Sequence, residues 1–347
     1  MKRNQKVLLI FPGVIFILGL LAAGPSPAAD NEWTWLGPYG GKINTLAVDP
    51  QTPSTIYAGT DVGIFKSTDG GTNWTVINKG LTNLDIIVLA IDPKAPQTIY
   101  AGTNGGGLFK SSDGGANWAA ANIGLTNLKI QSLAIDPVAS STLFAGTEGG
   151  VFKSTDRGAG WVLAGSGFRS DNILSLTITP QNPSIVYAGT LSGLYKTTDG
   201  GATWASTGWY LIGRLISSII IHPANSSTLY AAGGDGIFLS GDGGVNWDYI
   251  LRQSTTKTYL RGLVMNPQSP SILYAFEEGS IYPPLTYKST DGGVNWTTLD
   301  SLSGKEVKLA LNPASSSVLY AGTKTEGLLK STNEGASWSN VGLDRVT

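Results

Sequence analysis

Short apolar runs separated by turn-forming residues recur along most of the chain at a regular spacing. One run reads L-A-V-D-P at residues 46–50 and returns as L-A-I-D-P at residues 89–93 and 133–137. A second, Y-A-G-T or F-A-G-T, begins at Tyr57, Tyr100, Phe144, Tyr187 and Tyr320. A third, G-I-F-K-S or a near copy, leads into S-T-D-G-G-T-N-W at residues 67–74, a segment that recurs ending at Trp118, Trp161, Trp204, Trp247, Trp296 and Trp338. The runs have strand length and are continuous more than alternating, which predicts sheets buried on both faces. Asp-Pro, Gly and Asp-Gly-Gly mark the turns between them. Each unit therefore predicts four strands: A (LAIDP), B (TIYAGT), C (GIFKS) and D, which starts at the tryptophan.

The tryptophans that end these segments lie 44, 43, 43, 43, 49 and 42 residues apart. Four strands at a period of roughly 40–45 residues are the signature of a β-propeller. The reading is thus all-β, a single domain over residues 30–347 with seven blades of four antiparallel strands. In the repeated turn, the acid can accept backbone N–H bonds and the two glycines permit positive φ. The tryptophan fixes the turn by burying its ring, against the neighbouring blade. Asp69, Asp113, Asp156, Asp199, Asp242, Asp291 and, in the last copy, Asn333 are accordingly read as structural turn caps. Arg157 stands where the first glycine belongs in the third copy, and Asn333-Glu334 replaces Asp-Gly in the seventh. Trp33-Thr34-Trp35-Leu36 resembles a D strand with no turn before it, which suggests closure beside or in place of the strand after Trp338.

Composition narrows the chemistry. The 347 residues include 46 glycines, 10 tryptophans, no cysteine and one histidine, His222. Disulfides, thiol catalysis and cysteine-ligated zinc are excluded, and neither a metal nor a cofactor is expected. His222 falls where other repeats have Asp49, Asp92 or Asp136 before proline, so all four are read as turn residues. Lys2, Arg3 and Lys6, the apolar run 7–23 and Ser26-Pro27-Ala28 predict a signal peptide over residues 1–29, hence a periplasmic or secreted location. Contact with a membrane is expected only if that segment stays uncleaved; a lipid anchor of the bacterial type would need a cysteine. Removing the three basic residues takes the formal charge from −1 to −4, which argues against nucleic-acid binding by bulk electrostatics.

The S-x-D-G-G-x-x-W segment resembles the Asp box, or bacterial neuraminidase repeat, and seven copies cover nearly all of residues 30–347. In size, blade count and export the layout is most similar to photosystem II stability and assembly factors, which are single exported propellers acting as binding scaffolds. Sialidases and xyloglucanase-type glycoside hydrolases are more distant relatives carrying the same box. The Arg-Ile-Pro motif of sialidases is missing, and the paired propellers of xyloglucanases need a longer chain. The resemblance implies a monomeric binding scaffold for a protein or a carbohydrate, with glycoside hydrolysis as the alternative.

In such a meander the A–B turns and the repeated C–D turns share one face, and the D–A and B–C loops share the other. The second face varies between repeats, which is where binding usually resides. Phe168 and seven ligand-binding candidates lie in its D–A loops: Arg169, Trp209, Tyr210, Arg214, Arg252, Tyr259 and Arg261. Tyr282 belongs to the long B–C loop of the sixth repeat. Arginines suit a carboxylate and aromatics suit stacking on a sugar or peptide. If the face is catalytic, Glu277 and Glu278 with Asp171 or Asp235 are the carboxylates that could form a glycosidase pair.

Overall fold

A computed structural model of the protein describes residues 40–168, 172–252, 259–278 and 283–343. Seven antiparallel sheets of four strands each follow one another along the chain. In blade 1, strands A to D are Ile43–Val48, Ile56–Thr60, Gly63–Ser67 and Thr75–Val76. Blade 7 repeats the order with Val307–Leu311, Leu319–Thr323, Leu328–Ser331 and Ser339–Asn340. Blades 2 to 6 occupy residues 86–120, 130–163, 173–207, 216–252 and 259–298. This is the seven-bladed β-propeller that the repeat predicts. The segment after Trp338 is itself strand D of blade 7, with Lys330 paired to Ser339 and Leu329 to Asn340. The N-terminal segment therefore does not replace it. Residues 33–36 as an added strand, and residues 1–29 as a signal peptide, lie outside the described residues.

Both faces of every blade are covered, so hydrophobic burial is distributed over the seven blade-to-blade interfaces. Between blades 4 and 5, Tyr187 and Leu194 pack with Ile216, Leu229, Phe238 and Trp247. The ring closes through an interface of the same make, in which Tyr320, Leu328 and Leu343 meet Ile43, Ile56, Phe65 and Trp74. Strand A of each blade lies against strand A of its neighbours around the axis. The glycine of Y-A-G-T is required there for close approach. A Cβ on Gly59 would stand 2.7 Å from Ile86 Cγ2, and one on Gly102 would stand 2.6 Å from Ile130 Cγ2. Gly146, Gly189 and Gly322 face Ile173, Ile216 and Ile43 in the same way.

The repeated turn is a closed set of hydrogen bonds. Ser67 Oγ donates to Asp69 Oδ1 (2.8 Å) and accepts from the Gly71 N–H (2.9 Å). Asp69 also accepts from the Asn73 N–H at Oδ1 (2.9 Å) and from Asn73 Nδ2 at Oδ2 (2.7 Å). Asn333 keeps the arrangement without a charge, accepting from Ser331 Oγ and from the Ser337 N–H. Arg157 and Glu334 occupy the first-glycine position with φ of 62° and 57°, the left-handed region that costs an L-residue about 1–2 kcal/mol.

Two sets of bonds join the turns to the adjoining blades, the second of them in blades 1 to 4. Lys66 Nζ and Tyr57 Oη, on strands C and B of blade 1, both donate to the Gly114 carbonyl in the turn of blade 2 (2.9 and 3.4 Å). Lys110 and Tyr100 reach Arg157, Lys196 and Tyr187 reach Gly243, and Lys330 reaches Gly70 across the closing interface. In the opposite direction the indole Nε1 of Trp118, Trp161 and Trp204 donates to Ile77, Ala121 and Ala164 of the preceding blade. Trp74 does the same to Val341 of blade 7. Blade 5 carries Leu239 in the lysine position, and Tyr230 alone reaches Gly292.

Four expected outcomes follow from these bonds and turn conformations. The N–H and amide of Asn73 and the Ser67 hydroxyl hold Asp69 well below its ordinary value, at about 2. The corresponding donors hold Asp113, Asp242 and Asp291 at about 2. Depressed carboxylates stabilise the folded state fully above their unfolded pKa of about 4, and that stabilisation is lost as pH falls through about 2. Chemical denaturation followed against pH should therefore be flat near neutrality and fall between about pH 4 and 2. Arg157→Gly should raise stability by about 0.5–1 kcal/mol and Gly70→Ala should lower it by about 1 kcal/mol, both read by urea melts. Lys330→Met, which removes one charge-assisted bond from the closing interface, should cost about 1–2 kcal/mol in the same assay.

Candidate functional site

The two faces of the ring differ in chemistry. On the A–B side the residue before proline caps its own turn. Asp49 Oδ1 accepts from the N–H groups of Gln51 (2.8 Å) and Thr52 (3.0 Å), and Asp92 and Asp136 repeat the pattern. His222 Nδ1 accepts from the Ala224 N–H (3.2 Å), so it does the work of those aspartates. A cavity of about 450 Å³ on this side is walled by apolar side chains of blades 4 to 7, among them Ile178, Ile220, Leu263, Met265 and Leu311.

The opposite, loop-bearing side opens on a polar cavity of about 370 Å³. At or next to the start of each A strand stands a buried aliphatic residue: Ile43, Ile86, Ile130, Ile173, Ile216, Leu260 or Val307. Strand alternation turns the next residue to the axis, and that residue is Asn44, Ile87, Gln131, Leu174, Ser217, Arg261 or Lys308 in turn. All seven line the cavity, joined by Lys42, Lys129 and Glu278. Four cations thus surround one carboxylate. Glu278 accepts from Lys308 Nζ (2.9 Å) and lies 3.6 Å from Lys42 Nζ. Burial works to raise its pKa, but Lys308, Lys42 and Arg261 outweigh that and hold it below the ordinary carboxylate value. Lys129 pairs with Glu148 in the B–C loop of its own blade (2.7 Å).

The candidate residues divide between this axial cavity and a second cluster on blade 5. Arg214 pairs with Asp235, donates to the Tyr210 carbonyl (2.9 Å), and lies over the rings of Tyr210, Phe238 and Tyr249. Arg252 covers Tyr249 with its guanidinium 4.5 Å from the ring centroid. Trp209 opens the short 3-10 turn Trp209–Leu211, meets Tyr210 edge-on at 5.6 Å and is 73% exposed. Phe168 is packed on Tyr195 and Trp204 (5.0 and 5.1 Å), as part of the interface between blades 3 and 4. Tyr259 is exposed at the start of strand A of blade 6, and Arg261 follows it into the axial cavity. Arg169, Asp171 and Tyr282 lie outside the described residues.

Among the described residues the candidate carboxylates are occupied. Glu277 takes the place that threonine holds at the end of five of the other six B strands, where Thr60 Oγ1 donates to the Gly63 carbonyl. It is 3% exposed, and its carboxylate accepts from the Leu285 N–H (3.0 Å) and the Tyr287 hydroxyl (2.9 Å). Glu278, next along the strand, points to the opposite side, into the axial cavity. The two therefore do not converge on one bond. Among the described residues no three His, Cys, Asp or Glu side chains come together as a metal site would need. Lys42, Lys129 and Lys308 escape a reading based on loops, because they sit at or beside the first turn of strand A; reading that single position across the seven repeats finds Lys308 directly.

No protein-family model matches the chain. Xyloglucanase of Hypocrea jecorina is 49% identical over 43 residues, which are 12% of this chain and 5% of that protein. Forty-three residues are the length of one blade repeat, so this likeness is to the repeat. Among solved structures, the GH74 xyloglucanase of Xanthomonas campestris superposes with a TM-score of 0.73 at 18% identity. The superposition covers 88% of this chain and 55% of that one, so the chain spans about half the length of that enzyme. YCF48 bound to D1 peptide gives a TM-score of 0.65 at 14% identity, covering 86% of this chain and 95% of that one. The extracellular domain of the two-component system BT4673 from B. thetaiotaomicron gives 0.66 at 13%, covering 86% and 38%. The fold is shared by an enzyme, a peptide-bound protein and the extracellular domain of a two-component system, and the fold is what these similarities establish.

Proposed function

We propose that this chain is a non-catalytic, extracytoplasmic binding propeller that recognises a protein or a glycan through its loop-bearing face. The observation that carries the reading is the state of the carboxylates: Glu277 is buried in hydrogen bonds, Glu278 is held between lysines, and Asp235 is paired with Arg214. A glycosidase needs one carboxyl group free to protonate the leaving oxygen and a second roughly 5–9 Å away to act as base or nucleophile. Neither role suits these three. The same face offers an exposed Trp209 beside stacked aromatics and a polar cavity at its centre, a combination suited to holding a ligand by stacking and charge. Extracytoplasmic location is supported by the basic and apolar N-terminal sequence and by the likeness to an extracellular domain. The alternative, a glycoside hydrolase, draws on the likeness to xyloglucanases.

The full-length chain, incubated with xyloglucan, β-glucans, pectin and sialosides, should release no reducing ends. It should bind on a combined glycan and peptide array, and Trp209→Ala should weaken that binding by about tenfold or more, as loss of an exposed aromatic anchor does. Turnover that disappears with Glu278→Gln, Glu277→Gln, Asp235→Asn or Asp171→Asn would overturn the reading in favour of the hydrolase.

A further inference from the structure

Three of the cations on the axial cavity come from consecutive blades. Arg261 stands on strand A of blade 6, Lys308 on strand A of blade 7, and Lys42 just before strand A of blade 1. Blade 6 meets blade 7, and blade 7 meets blade 1, so the three share one arc of the wall. Against the effect of burial, Lys308, Lys42 and Arg261 together hold the Glu278 carboxyl below its ordinary value, which places all three beside it. Glu278 is the single acid on the cavity wall among the described residues. Lys129, on blade 3, has its own partner in Glu148. Glu306 and Glu326 are paired with Lys324 and Lys305, while Asp61 and Asp85 lie off the wall and pair with no cation among the described residues. One carboxylate thus faces three cations, and two positive charges stay uncompensated on this arc.

Their donors are also uncommitted. An ammonium carries three N–H groups and a guanidinium five. Lys308 spends one on Glu278 (2.9 Å), and Phe276 lies under the same ammonium at 5.8 Å. Lys42, at 3.6 Å from Glu278, is beyond hydrogen-bond length. Arg261 donates no hydrogen bond among the described residues. The Lys42 and Lys308 side chains are only 31% and 27% exposed, so water screens their mutual repulsion poorly, and an anion on this arc would relieve it.

We propose that this arc of the axial cavity binds a phosphate group, held jointly by Lys42, Arg261 and Lys308. This rests on the binding role proposed for the loop-bearing face and names a ligand chemistry for its centre. A phosphate dianion matches the surplus charge, and its oxygens point in several directions to meet donors arriving from three blades. A carboxylate brings half that charge and oxygens in one plane. Glu278 makes three neighbouring cations tolerable, and its own charge opposes the incoming dianion, so it tunes the affinity. The cavity, about 370 Å³, has room for the group and for several waters at about 30 Å³ each.

The test is calorimetric titration of the full-length chain at low ionic strength with inorganic phosphate, with acetate as comparison. Saturable phosphate binding is expected, with acetate weaker by about tenfold or more. Lys42→Met, Arg261→Met and Lys308→Met should each weaken phosphate by about tenfold. Lys94→Met makes the same charge change in an exposed A–B turn on the other face and should leave binding unchanged. Glu278→Gln should tighten phosphate by about threefold or more, a gain that misfolding cannot produce. Glycerol 3-phosphate separates the sources: tighter binding than inorganic phosphate assigns the group to a phosphomonoester, weaker binding to the free ion. Absence of saturable phosphate binding, acetate binding as tightly, indifference to all three methionine substitutions, or weakening by Glu278→Gln would each overturn the proposal. Array binding without phosphate binding removes the axial site and leaves the broader binding role. Failure of both removes both.

Discussion

The carbonyl at the first-glycine position of each repeated turn is where the ring is held together. In six of the seven turns it receives a lysine ammonium, and in most a tyrosine hydroxyl, from the blade before it. Nearby, the tryptophan of the same turn reaches back into that blade with its ring and, in the first four blades, with its N–H. A blade has two apolar faces and only four short strands, so it cannot bury itself. These directed bonds set where the next blade sits, and the aliphatic and aromatic contacts then supply the bulk of the burial. The acidic side chain has no part in the contact between blades; its hydrogen bonds shape the turn so that the carbonyl and the indole face outward correctly.

Because the fixed chemistry is gathered on strands B and C and on the C–D turns, the inner ends of strand A are free to differ. Seven equivalent positions carry asparagine, isoleucine, glutamine, leucine, serine, arginine and lysine, and these line the polar cavity. The same logic explains blade 6. There Phe276 takes the place of the glycine, its ring covers Gly262 on the paired strand, and Glu277 takes the place of the threonine. Glu277 is thus a local repair of a repeat that departs from its pattern, and Glu278 beyond it is delivered to the axis.

The architecture was legible in the sequence because the repeat states it seven times: strand order, turn caps and blade count all follow from the period. His222 as a turn residue and Asn333 as an uncharged cap were legible for the same reason. The lysine of G-I-F-K-S and the tyrosine of Y-A-G-T were visible as repeats, but their shared acceptor lies more than 40 residues away, so only the packing of blades reveals the bond. The candidate sector was drawn from loops, and it joined residues that the ring separates. Arg214 and Arg252 lie flat on the aromatics of blade 5, whereas Arg261, close to them in sequence, faces the axis with lysines from blades 1, 3 and 7. Loop proximity in the chain does not report direction around an axis.

The glycine of Y-A-G-T, pressed against the isoleucine of the next blade, bears on how many blades the ring contains. Closure here uses no special clasp among the described residues, since blades 7 and 1 meet as any other pair does. The count must then come from the angle at which neighbours meet, and that angle depends on how thin each blade is beside the axis. At five of the seven interfaces a missing Cβ on one side and a branched side chain on the other set the taper of the wedge. A bulkier residue repeated at that position would thicken the inner edge relative to the outer one, open the channel and favour a ring of more members.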